Sequence, residues 1–120
     1  MNQGNLIVTL NNEAKEAQRD RPGNYILAPN MVNEKKHWLQ QGGRSTMWYC
    51  EIGVWAIGLQ THNTNKPNIG TCTNIGIYAR SDSTGPETAT GWKYHKDGSF
   101  HEPSNDNDIL VELGNTTTVS

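Results

Sequence analysis

Short apolar runs separated by polar turns give the chain its first outline. Residues 5–10 read as a strand, anchored by the β-branched pair Ile7 and Val8. The stretch 11–20 is polar and has only Ala14 and Ala17 as an apolar face. Asn12 offers a cap there, but the pattern predicts a solvated loop or frayed turn rather than a packed helix. Arg21-Pro22-Gly23-Asn24 signals a turn. Strands are expected next at 25–28, stopped by Pro29 and Asn30, and at 36–40, which carries Trp38. Gly42 and Gly43 then supply a hairpin connection.

The clearest pattern lies at 47–58. Strands at 46–50 and 54–59 flank Glu51, Ile52 and Gly53, a spacer short enough for a tight hairpin. A period of two in the second strand sorts Trp55, Ile57 and Leu59 onto one face and Val54, Ala56 and Gly58 onto the other. The first face is the expected core. The small side chains of the second predict close approach by another strand or by a ligand.

Downstream, 61–72 is a polar loop, and 74–80 is a strand in which Ile75, Ile77 and Ala79 oppose Gly76 and Tyr78. A loop follows at 81–87, then a strand at 91–95 ended by Lys96-Asp97-Gly98, the signal of a type I′ or bulged turn. Residues 101–108 read as loop and 109–113 as a closing strand. The tail 114–120 is expected to be mobile. All five prolines fall in the proposed loops. This reading is all-β: a single antiparallel sandwich or small barrel of about seven to eight short strands. The length fits one domain, 1–120, with an ordered core over about 5–113.

Composition changes the picture at the core. Hydrophobic residues make up only 33% of the chain, so the four tryptophans and four tyrosines must supply much of the buried surface. The expected core is Trp38, Trp48 or Tyr49, Trp55, Ile57, Ile75, Ile77 and Trp92. Trp48 and Tyr49 are adjacent and point to opposite faces, so at least one is expected near the surface.

Charge and cysteine content narrow the context. The net charge is −2 with both signs interspersed, so no basic stripe supports nucleic-acid binding. No apolar run approaches the roughly 18 residues of a membrane span. The N-terminal run lacks the basic lead-in of a signal peptide, which fits a cytosolic protein or a domain of a longer secreted chain. Asn115-Thr116-Thr117 matches the N-glycosylation acceptor, a triplet common by chance in a Thr-rich tail. Cys50 and Cys72 leave two states open. A bridge would contribute roughly 3 kcal/mol, whereas the apolar strand around Cys50 favours a packed free thiol.

The chemistry-bearing residues form no familiar constellation. His37, His62, His95 and His101 match no metal-ligand spacing, and only His95 with His101 across a hairpin suggests convergence. The acidic stretch 102–108 lacks the glycine and the terminal glutamate of a calcium loop. No nucleophile elbow, carboxylate pair or phosphate-cradling loop is present. We therefore expect no enzyme, no catalytic residue, no metal and no cofactor. The aromatic residues carry the remaining signal. Tyr49, Tyr78 and Tyr94, with Asp82 and Asn63 in the neighbouring loops, form the candidate ligand-binding set. The expected partner is another protein, with a glycan as the alternative and a small hydrolase as a distant third reading.

Gly23-Asn24-Tyr25, Val32-Asn33-Glu34 with Trp38, Met47-Trp48-Tyr49 and Val54-Trp55-Ala56-Ile57-Gly58 follow a recurring cadence, continued by Ile77-Tyr78-Ala79-Arg80 and Gly91-Trp92. This resembles a small β module of large multidomain eukaryotic proteins. The resemblance covers roughly residues 23–95. It implies a β module used for display or interaction and carries over no catalytic or binding residue.

Overall fold

A computed structural model describes residues 4–50, 52–59, 74–80 and 85–114. The described chain is all-β and antiparallel. Its strands are β1 (Leu6–Leu10), β2 (Gly23–Val32), β3 (Lys35–Gln40), β4 (Ser45–Cys50), β5 (Val54–Leu59), β6 (Ile75–Arg80), β7 (Lys93–Lys96), β8 (Ser99–His101) and β9 (Ile109–Leu113). They form one nine-stranded sheet in the order β8-β7-β6-β5-β4-β3-β2-β1-β9. Eight strands follow one another as a meander, and β9 returns to pair with β1. The sheet curls into a half-barrel. It is a single sheet rather than a two-sheet sandwich, and β8 takes the strand count above the expected seven to eight.

The turns follow local chemistry. Asp97 and Gly98 both take positive φ, 53° and 84°, which is the type I′ geometry that suits a two-residue hairpin between Lys96 and Ser99. The same turn recurs at Asn33 and Glu34, with φ of 53° and 68°, between the strands expected at 25–28 and 36–40. Cys50 and Val54 close the predicted β4–β5 hairpin, with Gly53 at φ 91°. β2 runs through Pro29, against the expectation that every proline lies in a loop. The register with β3 slips between Leu27 and Met31, so Pro29 sits where no ladder bond is required of it.

The concave face holds the main core. Leu6, Val8, Tyr25, Trp38, Met47, Trp55, Ile57 and Ile77 are fully buried there, and Trp38 and Trp55 meet with ring centroids 6.1 Å apart. Leu59, placed on the same face by the period of two, lies at the strand end and is 41% exposed. The stretch 12–17 is a short helix, α1 (Asn12–Ala17), and it packs: Ala14 is buried in the core. This corrects the expected solvated loop. The reason is tertiary, because Asn12 and Glu13 bind residues far along the chain while Lys15 and Glu16 stay exposed to water. Asn12 donates to Asp108 Oδ1 at 2.7 Å, and Gln18, just beyond the helix, donates to the His95 carbonyl at 2.7 Å.

A second, smaller cluster lies on the convex face. Val32, Trp48, Cys50, Val54 and Ala56 are buried there, with Ile75 and Tyr78 packed against them. Trp48 is thus fully enclosed on the face opposite Tyr49, and neither is a free surface ring. Ile75 belongs to this cluster rather than to the concave core predicted for it. A bulge between Ile57 and Gly58 shifts the β5–β6 register, so that Gly58 opposes Ile75 while Ile57 opposes Ile77. Gly58 is where another strand does come close: a β-carbon there would stand 2.1 Å from the Asn74 carbonyl oxygen. Cys50 is held in a disulfide, not as the favoured free thiol. The chain's one other cysteine, Cys72, lies outside the described residues, as does the tail from 115.

Candidate functional site

The structure separates the three candidate tyrosines. Tyr49 on β4 faces the concave side, where it meets Trp55 edge-on at 5.1 Å while the Lys35 ammonium sits 5.0 Å from its ring centroid. Its ring is therefore engaged on an edge and on a face. Tyr94 on β7 also points inward and is buried. Its hydroxyl donates to Glu13 Oε1 at 2.5 Å, and Lys96 pairs with the other oxygen of the same carboxylate. Donating to an anion favours the protonated phenol, and Tyr94 is pushed up to about 12. The two donors, Lys96 first and Tyr94 second, hold the Glu13 carboxyl below its usual value. The bond to Glu13 likewise raises Lys96. This triad fastens α1 to β7.

Tyr78 stands on the opposite, convex face, because its register partners are Ala56 and Lys93. It meets Phe100 of β8 edge-to-face at 4.6 Å, and His95 reaches the same ring at 5.2 Å. These side chains, with Ile52, Val54 and Ile75, line an open groove of about 560 Å³ whose polar members include Arg80 and Asn74. Ile52 is 61% exposed and Phe100 37%. Asp82 and Asn63 lie outside the described residues. Sequence reasoning missed Phe100, because β8 is too short to show a period. The Asp97-Gly98 turn was the available signal that a strand follows.

A second concavity lies at the seam of the half-barrel, along the free edge of β9. It has a volume of about 640 Å³ and is lined by Trp92, Ile109 and Val111 together with Glu102, Asp106 and Glu112.

His95 and His101, the pair a hairpin could bring together, lie on opposite faces. His95 opposes Phe100 on the convex face, whereas Tyr94 opposes His101 on the concave one. Among the described residues no group of three His, Cys, Asp or Glu side chains is placed to hold a metal ion. The Ser99 hydroxyl lies 3.2 Å from His101 Nε2, but that nitrogen also contacts the Lys96 carbonyl at 3.1 Å, and both side chains are exposed on a three-residue strand. The contact reads as hairpin closure. Asp108, in the acidic stretch, is buried and serves the fold: it accepts from Asn12 and from the Asn105 amide. No helix is long and apolar enough to cross a membrane among the described residues.

Comparison with known proteins adds no relative: no known family matches the chain, and neither a curated protein nor a solved structure does so.

Proposed function

We propose that this domain is a non-catalytic protein-interaction module whose contact surface is the convex groove. The observation that carries this reading is the Tyr78–Phe100 pair, which is partly open to solvent and continuous with the exposed Ile52. An aromatic centre, aliphatic neighbours and a rim holding arginine and histidine have the composition of a protein hot spot. The glycan alternative asks for an accessible ring face beside carboxylates or amides. All four tryptophans are buried, and Lys35 stands over Tyr49. Among its described residues the groove is lined by one amide, Asn74, and by no carboxylate. A single amide beside an edge-to-face ring pair is a weaker match to a sugar than the apolar lining is to a protein.

Photo-crosslinking from position 52 in the native setting tests the proposal. A saturable protein partner is expected, and Phe100→Ala should weaken its half-saturation by about thirtyfold, in the range of a hot-spot truncation. Unfolding followed by tryptophan fluorescence checks that the variant is folded. Recovery of no saturable partner, or a half-saturation indifferent to Phe100→Ala, refutes the proposal. A glycan that blocks the crosslink would instead support the alternative.

A further inference from the structure

Among the described residues the half-barrel does not close, and its two edges differ. β8 has three residues, which limits what can pair with it. β9 has five and contains neither lysine nor proline. The bonding phase of β9 follows from two contacts beyond its ends: the Gly114 amide donates to the Asn5 carbonyl at 2.7 Å, and the Asn11 amide to the Asp108 carbonyl at 2.9 Å. Antiparallel pairs alternate along a ladder. Leu110 and Glu112 therefore spend their backbone groups on β1, and Ile109, Val111 and Leu113 turn theirs toward the free edge. That edge borders the seam cleft, whose opposite wall is the segment leading into β7.

The cleft has two chemistries. Its floor is apolar, made of Trp92, Ile109 and Val111, which belong to the main core. Its rim carries Glu102, Asp106 and Glu112, all exposed, with Glu87 beside them, against Lys93 as the one basic residue of the described lining. A strand laid on β9 would send alternate side chains to the floor and to the rim.

We propose that the seam receives an extended segment of a partner protein, alternating apolar and basic residues, which adds to β9 as a further strand. The backbone groups of Val111 and Leu113, which pair with none of the described residues, supply register, the floor takes the apolar side chains, and the acidic rim selects the basic ones. A second copy of this chain is the poorer occupant, because edge-to-edge pairing would bring two acidic rims together. The surface is separate from the convex groove and does not rest on it.

The test titrates the ¹⁵N-labelled full chain with a synthetic Lys-Val repeat peptide. The Val111 and Leu113 amides should exchange freely without peptide and gain at least about tenfold protection with it. Methylating the peptide nitrogens that face β9 should weaken binding by about tenfold or more. Glu102→Lys with Glu112→Lys should do the same, and a Glu-Val repeat should not bind. Equal binding of the methylated peptide would mean attraction by charge alone and would overturn strand addition. Protection at Phe100 in place of Val111, or no binding at low ionic strength, would overturn it too. Protection of Val111 that rises with protein concentration in the absence of peptide would assign the edge to a second copy and overturn the basic partner. Phe100→Ala should leave the titration unchanged, so the groove and the seam fail independently.

Discussion

Substituting Gly58 by alanine places a methyl group where the β5–β6 bulge leaves no room. The new carbon would stand 2.1 Å from the Asn74 carbonyl oxygen and 2.9 Å from the Ile75 α-carbon, both backbone atoms that cannot swing aside. Relief requires the two strands to separate, which breaks the 3.0 Å bond from the Leu59 amide to that same carbonyl. Overpacking of this kind costs about 1–3 kcal/mol, and the lost hydrogen bond about 1 more. We expect a total near 3 kcal/mol, and a melting temperature lower by roughly 10 °C for a domain of this size. Gly76→Ala is the matched control. Its methyl would stand 2.1 Å from the Gln18 side-chain oxygen and 2.9 Å from Arg21 Nε, both on side chains that can shift. The loss is then limited to the Gln18 bond to His95 and the Arg21 bond to Ser45, about 1 kcal/mol each at most. Urea unfolding followed by the fluorescence of the buried tryptophans measures both variants. If Gly58→Ala costs no more than Gly76→Ala, the bulge is not the tight point described, and the explanation for Ile75 on the convex face falls with it.

Three further outcomes follow from single contacts. Glu34 holds a left-handed φ of 68° in a type I′ turn that favours glycine, so Glu34→Gly should stabilise the domain by about 0.5–1 kcal/mol in the same assay; a loss of stability would contradict the turn. Asp108→Ala removes the acceptor for Asn12 and for the Asn105 amide at a buried site and should cost about 2 kcal/mol, whereas an unchanged midpoint would show that α1 is not tied to β9 through it. Glu13 titrates below its ordinary value of 4.5 in the folded chain. Its contribution is therefore complete above that value and is lost as pH falls through the folded pKa. Stability measured against pH should show a shallower acid limb in Glu13→Gln than in the parent. Absorbance titration of the variant should also bring Tyr94 down from about 12 toward 10, and identical profiles would remove the triad as the cause.

Much of the strand layout was legible along the chain because it rests on local chemistry. Alternation at 54–59 put Trp55 and Ile57 on the core face, and they are buried there. Glycine-bearing spacers marked the hairpins at Gly53 and Gly98, where a backbone of positive φ suits a residue without a side chain. The proposed sites were less legible. Tyr78 is in the convex groove, but its neighbour Phe100 comes from a strand of three residues, and Tyr49 and Tyr94 face the other way. The seam depends on where β9 lands, which no local pattern records.

By itself, then, the order of residues determined which segments are extended, where most of them turn, and that aromatic rings must fill the core. Tertiary structure decided the rest, through contacts between residues far apart in sequence. One bulge reverses the side on which Ile75 lies, since parity in a strand holds only while the register does. Trp48 is buried because a second cluster forms on the convex face, something the period of two cannot reveal. A polar stretch with two alanines became a packed helix because Tyr94, Lys96 and Asp108, more than 80 positions away from Glu13 and Asn12, were there to bind it. One curled sheet in place of a sandwich followed from each of β1 to β7 pairing with the next, with β9 returning to extend it at β1.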